Sequence, residues 1–176
     1  MNTWNREKLL EYLAELRIEF QEIIHKAVFT LVQSAMLGAT LSGSRCKNLL
    51  VQDKKGNQRF LVVTGPDTGI DLGALGRALG TGRLSMCPAE AMRDILHVKP
   101  GALSPLALVA DTGPEKVRLL MDRSLRNNQT FLFHPLANTS TISIRGDDLE
   151  TFLLSTGHMA EYVDMPMRLP TVRSSA

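Results

Sequence analysis

The chain has 176 residues, of which 44% are hydrophobic and 22% are charged, and its formal net charge at pH 7 is +2. This length favours one domain with a sizeable core, and so small a net charge gives no reason to expect binding along a nucleic-acid duplex. No apolar run approaches the ~18 residues of a membrane span, and the charged N-terminal segment lacks the apolar core of a signal peptide, so a cytoplasmic protein is expected. The two cysteines, Cys46 and Cys87, are interpreted as free thiols.

Hydrophobic periodicity defines the elements in the first half of the chain. Four leucines recur at helical spacing: Leu9, Leu10, Leu13 and Leu16. They predict an amphipathic helix over Trp4–Leu16 with Thr3 as its N-cap. The elements predicted after it are an extended segment at Phe20–Ile24, a helix from Thr30 to about Leu41, and two strands, Lys47–Gln52 and Arg59–Thr64, that form a hairpin around a turn at Asp53–Asn57.

In the second half, cap residues mark the helices and turn residues separate the strands. The predicted helices are Leu72–Leu79, capped by Asp71 and ended by Gly80; Ala89–Leu96, after Pro88; and Asp148–Ser155, between Asp147 and Gly157. The predicted strands are Leu106–Ala110, Val117–Asp122, Thr130–Phe133 and Thr141–Ile144. Because helices and strands alternate irregularly, with hairpins among them, the pattern indicates an α+β domain with a mixed sheet. We expect one domain over residues 1–164 and a flexible C-terminal tail over 165–176.

No standard catalytic centre is visible in the sequence. The four histidines are far apart, with neither HxxxH nor CxxC, so no metal site is expected. GxSxG is absent, which disfavours a serine hydrolase, and the glycine-rich Gly76–Arg83 segment matches neither nucleotide-binding motif. Cys46 and Cys87 are interpreted as structural. An enzyme with this sequence would therefore act by positioning a reactive substrate.

Positive charge collects on the predicted hairpin, whereas the first helix is acidic. The basic residues are Arg45, Lys47, Lys54, Lys55 and Arg59. This basic edge fits contact with a few phosphates, although an ordinary solvated hairpin would look the same.

Several motifs occur in an order that resembles the YbaK/ProX family of prolyl-tRNA editing proteins, whose domain is also inserted in bacterial prolyl-tRNA synthetases. These motifs include KNLLVQDKKG from Lys47, DLGALGRALGTGRLS from Asp71, PGALSPLALVAD from Pro100, FHPLANTST from Phe133 and DLETFLLSTGH from Asp148. Each motif alone is weak. The resemblance depends on their order, and it covers about Leu9 to Asp164.

The resemblance implies a strongly curved, barrel-like mixed sheet flanked by helices, with the site in a cleft. It also implies hydrolysis of the ester that joins a wrong amino acid, most simply alanine, to the proline tRNA. Prolyl-tRNA synthetase cannot exclude the smaller alanine, so a second site that admits alanine and rejects proline completes a double sieve. No cofactor is implied. The implied partner is the acceptor end of aminoacylated tRNA; prolyl-tRNA synthetase is a further candidate, and the oligomeric state is not defined.

The same resemblance assigns the site residues. Lys47, Gly101 and His134 match the family's central lysine, its GxxxP loop and its pocket histidine, and they are assigned to catalysis. Five further residues are assigned to substrate binding: Thr30, Asn48, Ser104, Pro105 and Asp122. Without the resemblance, each of these residues reads equally well as a strand end, a helix cap or a turn.

The chain departs from the family pattern beside these motifs. Leu50 and Leu106 stand where phenylalanine is usual, and the smaller Leu106 is expected to enlarge the pocket, so serine or cysteine stays open as the amino acid removed. Arg45 stands where many relatives have histidine, and Lys26 and Ala27 where prolines are common. A non-catalytic aminoacyl-tRNA or amino-acid binding regulator is the alternative function.

Overall fold

The structure is a computed structural model that describes residues 3–27 and 41–168. Its nine strands are, in chain order, β1 (Phe20–Ile24), β2 (Ser44–Arg45), β3 (Lys47–Gln52), β4 (Arg59–Thr64), β5 (Ser85–Met86), β6 (Arg118–Asp122), β7 (Thr130–Phe133), β8 (Ser140–Arg145) and β9 (Ala160–Val163). Within the same residues the α-helices are α1 (Arg6–Glu15), α2 (Leu72–Ala78), α3 (Ala89–Leu96) and α4 (Gly146–Ser155). Two short 3-10 helices lie at Pro105–Ala110 and Arg123–Leu125.

The strands form two mixed sheets, which confirms the α+β class. One sheet has the order β1-β8-β7-β2, and the other has the order β5-β3-β4-β6-β9. Each contains antiparallel pairs together with at least one parallel pair. The structure therefore has two sheets where a single curved sheet was expected. The chain passes from the first sheet at β2 to the second at β3, with only Cys46 between the two strands. The strands in the described residues do not close a barrel.

Alternation along β3 and β4 explains why the five-stranded sheet carries a core on each face. Leu50, Leu61 and Val63 belong to the main core, which also receives the buried residues of α1, α3, α4 and the four-stranded sheet. Their neighbours Val51 and Phe60 belong to a second, smaller core under α2. Since successive side chains of a strand point to opposite faces, the middle of each of these strands is apolar on both faces, over Leu49–Val51 in β3 and Phe60–Val63 in β4.

Most elements have the predicted bounds, and the helix caps explain the best matches. The hairpin β3–β4 is paired over its whole length. The side chain of Asp71 accepts a hydrogen bond from the N–H of Ala74, 2.9 Å away, which satisfies one free N–H group at the start of α2. Gly80 follows α2 with φ +71°, the left-handed conformation that favours glycine. The predicted helix from Thr30 lies outside the described residues.

Two predicted helix starts were displaced by a few residues. α1 begins at Arg6 rather than Trp4, because the side chain of Asn5, not that of Thr3, accepts the capping hydrogen bond from the N–H of Lys8. α4 begins at Gly146, so Asp147 lies in its first turn, where a carboxylate favours the positive end of the helix dipole.

The segment predicted as a strand at Leu106–Ala110 is instead a 3-10 helix. All six residues of Pro105–Ala110 are buried. A short apolar run does not distinguish a buried strand from a buried helical turn, and proline at the first position fixes a backbone angle that suits the helix. Here the local signal from Pro105 outweighs the strand propensity of the residues that follow.

The first residues of the predicted flexible tail are ordered. Met165 is 9% exposed and joins the smaller core, and Met167 forms an isolated β-bridge with Ile70. The N–H of Arg168 donates to the carbonyl of Gly69 over 2.8 Å. Residues 165–168 thus pack against the domain, because Met165 provides apolar surface that the smaller core buries. Residues 169–176 lie outside the described part of the chain.

A buried hydrogen bond between His158 and Asp111 joins the end of the 3-10 helix to the loop after α4. His158 Nε2 donates to Asp111 Oδ2 over 3.0 Å, and both side chains are 2% exposed. The same oxygen accepts a 2.6 Å hydrogen bond from the N–H of Val117. Burial acts to raise the pKa of Asp111, but these two donors outweigh it and hold the pKa below its usual value.

We expect Asp111→Asn to lower the free energy of unfolding by about 3 kcal/mol at neutral pH, since the buried carboxylate that accepts both hydrogen bonds is lost. A carboxyl whose folded pKa is depressed stabilises the fold above its unfolded pKa of about 4 and loses that contribution as pH falls through the folded pKa. The difference between wild type and variant should therefore shrink in acid, as measured by urea unfolding at several pH values. Exposed Asp94→Asn is the control; an equal loss at all pH values would contradict this account.

Candidate active site

Lys47 and Asp122 lie at the same end of the five-stranded sheet. Lys47 is paired with Thr64 across β3 and β4. The hydroxyl of Thr64, which is fully buried, donates to Asp122 Oδ2 over 2.8 Å. Asp122 Oδ1 in turn accepts from the N–H of Ser124 over 2.9 Å. The pairing thus brings together two predicted residues that are 75 positions apart in the sequence, with Thr64 between them.

The Lys47 ammonium group is held by a backbone carbonyl and not by a carboxylate. Its Nζ donates to the carbonyl of Thr68, in the loop after β4. None of the ion pairs among the described residues includes Lys47. An ammonium group has three N–H donors, so two remain for a ligand. The carbonyl orients this cation without neutralising it, which suits contact with an anion such as a phosphate.

His134 follows β7 in the hairpin that leads to β8. Its Nδ1 lies 2.7 Å from the carbonyl oxygen of Ser140. Since a carbonyl only accepts, Nδ1 carries the proton and Nε2 of the neutral ring has a lone pair. Burial lowers the pKa of His134; the bond to Ser140 acts in the opposite direction, and the nearby His25 lowers it further. A neutral ring with an accepting Nε2 is therefore the form present at neutral pH.

The GxxxP loop is tied directly to this hairpin. Ser104 is fully buried, and its hydroxyl donates to the carbonyl oxygen of His134 over 2.7 Å. Gly101 has φ +91°, a left-handed conformation that residues with a Cβ rarely adopt. Pro105 is the first residue of the buried 3-10 helix. The Ser104 hydroxyl thus donates its proton to the hydrogen bond that links the GxxxP loop to the His134 hairpin.

The junction between the two sheets relates Lys47 to His134. In the parallel pair β2–β7, Arg45 lies opposite Leu132. Lys47 and His134 each follow two residues later in the same chain direction. Parallel strands run the same way, so both residues leave this pair at the same end. Asn48, the next residue, lies opposite Val63, on the face of β3 opposite to that of Lys47. Its Oδ1 is buried and has no hydrogen-bond partner among the described residues.

Sequence reasoning did not assign His25 and Thr141 to the site. The Thr141 hydroxyl donates to His25 Nε2 over 2.9 Å, because His25 Nδ1 donates to the carbonyl of Lys26. The ring centroids of His25 and His134 are 5.9 Å apart. Thr141 falls within the quoted FHPLANTST motif, and His25 directly precedes the departures at Lys26 and Ala27. A signal therefore existed, but strand pairing was needed to show that the two residues meet. Thr30, the remaining predicted residue, lies outside the described residues.

The two cysteines differ from reactive nucleophiles. Both are free thiols. Burial raises the pKa of Cys46 to about 12. It also raises that of Cys87 to about 11, although the charge of Arg59 acts the other way. Thiols with these pKa values are protonated at neutral pH, and the thiolate is the nucleophile. Cys46 therefore lies beside Lys47 as a packing residue.

Within residues 3–27 and 41–168, no three side chains of the His, Cys, Asp or Glu types lie close enough together to hold a metal ion. None of the helices there has the length and apolarity needed to cross a membrane.

Comparison with known proteins decides the family. The model of the aminoacyl-tRNA editing domain matches residues 25–152. The chain belongs to this family. It is 37% identical over 155 residues to prolyl-tRNA synthetase associated domain-containing protein 1 of Danio rerio, with 87% of this chain and 83% of the relative covered. It is also 28% identical over 160 residues to the prolyl-tRNA editing protein ProX of Acetoanaerobium sticklandii, covering 91% and 97%.

A solved structure supports the fold of this editing domain. A crystal structure of a candidate trans-editing enzyme for prolyl-tRNA synthetase superposes with a TM-score of 0.70 at 18% identity, covering 94% of this chain and 99% of that one. At this identity the likeness shows the fold alone. Together with the family match, it confirms the resemblance to the prolyl-tRNA editing proteins that the motifs indicated.

Proposed function

We propose that this editing domain is a trans-acting deacylase that hydrolyses the ester of alanine wrongly attached to tRNA(Pro). The observation that carries the proposal is the hydrogen bond from Ser104 to the carbonyl of His134, because it joins the GxxxP loop to the histidine hairpin beside the sheet junction that bears Lys47. In this proposal a cation, a glycine-containing loop and a neutral imidazole contact one substrate. These groups fit a substrate that carries phosphates and an activated ester.

In the proposed reaction a water oxygen attacks the ester carbonyl carbon, and the bond from that carbon to the ribose oxygen breaks. The ribose oxygen takes a proton, so the products are free amino acid and uncharged tRNA. Backbone hydrogen bonds around the loop use the N–H groups of Ala102 and Ala107. We assign the N–H groups of Leu103 and Ser104 to the developing oxyanion, where oriented amide donors are most effective. An adjacent ribose hydroxyl of the tRNA assists proton transfer.

In the proposal, different side chains contact different parts of the substrate. Lys47 binds a phosphate of the terminal nucleotide through its remaining N–H donors. The accepting Nε2 of His134 receives a hydrogen bond from the attacking water or from the α-ammonium group of the amino acid. Asn48 Oδ1 is a buried acceptor without a partner among the described residues, and such an atom costs about 1–3 kcal/mol unless a ligand satisfies it. Because Asn48 lies on the face of β3 opposite to Lys47, we assign it a contact separate from that of Lys47. Asp122 acts through Thr64, which it holds beside Lys47.

Alanine is preferred in this proposal although Leu106 stands where phenylalanine is usual in the family. Leu106 is fully buried and packs in the main core. Leu106 thus packs behind the loop, and we assign alanine as the amino acid that the pocket admits.

The substrate panel that tests this proposal is alanine, serine, cysteine and proline, each esterified to tRNA(Pro). We expect alanine to be released at least about tenfold faster than serine or cysteine, since a pocket discriminates by about 1–3 kcal/mol for one small group, and proline to be retained. The measurement is single-turnover release of labelled amino acid. Saturable binding of the tRNA with no release of any amino acid would instead favour a binding regulator.

A further inference from the structure

We propose that Glu22 and Ser140 are positioning residues that fix the protonation site of His134, an inference that rests on the proposed function for its catalytic consequence. The Ser140 carbonyl oxygen accepts the Nδ1 proton of His134 over 2.7 Å. The hydroxyl of the same residue donates to Glu22 Oε1. Ser140 thus connects the histidine to a carboxylate on the neighbouring strand, and it is only 1% exposed.

Strand pairing explains how Glu22 reaches Ser140. In the antiparallel pair β1–β8, Glu22 lies opposite Ile142 and Ser140 lies opposite Ile24. Glu22 and Ser140 are therefore diagonal neighbours on one face of the sheet, close enough for a long side chain to bridge. This is the face on which Ile142 is fully buried, so a carboxylate here is unusual for an apolar surface.

Arg6 neutralises and anchors this carboxylate from α1. Its Nε and one terminal nitrogen donate to the two oxygens of Glu22 over 2.7 and 2.6 Å. The side chains of Arg6 and Glu22 are 24% and 18% exposed. A bidentate pair fixes the carboxylate in orientation as well as in charge. The chain of contacts runs from α1 through Glu22 and Ser140 to the histidine ring.

The hydrogen bond at Nδ1 determines which ring nitrogen of His134 is left without a proton. A histidine without such a bond can place its proton on either nitrogen, and the partner of one nitrogen decides the state of the other. With Nδ1 protonated, Nε2 accepts; with Nε2 protonated, the same ring would donate and could not receive a hydrogen bond from water or an ammonium group. Residues such as Ser140 and Glu22, which hold the histidine without contacting the substrate themselves, set the orientation and protonation of a histidine that does contact it.

The test is the ¹⁵N NMR spectrum of the imidazole groups in wild type, Glu22→Gln and Ser140→Ala, together with thermal stability and deacylation rates. The spectrum reports which nitrogen of His134 carries the proton. Both variants keep the backbone carbonyl of Ser140 but weaken or remove the bond from its hydroxyl to Glu22, which holds that carbonyl in place. We therefore expect the Nδ1-protonated form in the wild type and a measurable share of the Nε2-protonated form in both variants. In the variants kcat should fall about tenfold with little change in KM. Exposed Glu11→Gln, on the same helix as Arg6, is the matched control.

The outcomes separate this inference from the proposed function. An unchanged protonation site in both variants, with or without a loss of thermal stability, would overturn the inference and leave Glu22 and Ser140 as structural residues. A changed site in variants of a wild type that releases no amino acid would support the positioning role and reject the deacylase. An Nε2-protonated His134 in the wild type would overturn the inference directly.

Discussion

Replacing Lys47 with alanine is expected to lower kcat/KM for deacylation about 100-fold. A charge-assisted hydrogen bond to a phosphate contributes up to about 3 kcal/mol, and each 1.4 kcal/mol or so corresponds to a factor of ten in rate. The carbonyl of Thr68, which accepts a hydrogen bond from Lys47, does not neutralise the ammonium charge. The full free energy of the charge-assisted bond is therefore available for binding the phosphate. The measurement is single-turnover release of alanine from alanyl-tRNA(Pro) over a range of salt concentrations.

The salt dependence makes this prediction specific to a phosphate contact. Loss of one contact should reduce the slope of log affinity against log salt by about 0.7, the value for single-stranded nucleic acid. Lys47→Arg should recover part of the activity, because the charge remains but the compact ammonium does not. Lys8→Ala, on α1, removes the same charge away from the site. Equal rates for Lys47→Ala and wild type would remove Lys47 from the mechanism.

Replacing Gly76 with alanine is expected to lower the free energy of unfolding by about 3 kcal/mol, although alanine favours helices by about 1 kcal/mol over glycine. A Cβ at Gly76 would lie 1.7 Å from the carbonyl oxygen of Gly82. That carbonyl belongs to the backbone, so the loop or the whole of α2 would have to move. The same helix buries Leu75 in the smaller core. Urea unfolding measures the change.

Gly73→Ala in the same helix is the matched control. A Cβ there would meet only side-chain atoms, the nearest being Asp71 Oδ1 at 3.3 Å. We expect the control to change the free energy of unfolding by less than about 1 kcal/mol. If the two variants were equally stable, the close approach of α2 to the loop would not exist in solution.

The sequence was sufficient where a local signal and the tertiary structure agree. The hairpin Lys47–Thr64 combines two apolar runs with a polar turn, and both strands are found at the predicted residues. Asp71 and Gly80 mark both ends of α2 because capping is a local interaction. β9, in contrast, was not predicted. Its four residues, AEYV, are all partly exposed and owe their strand conformation to pairing with β6.

The sequence proposes the residue types of the candidate site but not the contacts between them. The motifs indicated Lys47 and His134, yet only the register of β2 and β7 places both residues at one end of a strand pair. The bond from Ser104 to the carbonyl of His134 spans 30 positions and involves a backbone atom, so no side-chain pattern signals it. Glu22 would be interpreted as an ordinary surface residue of an edge strand. Its role depends on the diagonal contact with Ser140 across β1 and β8.

The most direct test of the account is the rate at which the purified wild-type chain alone releases alanine from alanyl-tRNA(Pro), compared with proline from prolyl-tRNA(Pro). We expect release of alanine well above the spontaneous rate and retention of proline, without added prolyl-tRNA synthetase. Release of neither amino acid, with the tRNA bound, would contradict the assignment of a deacylase. Equal release of both would contradict the double sieve.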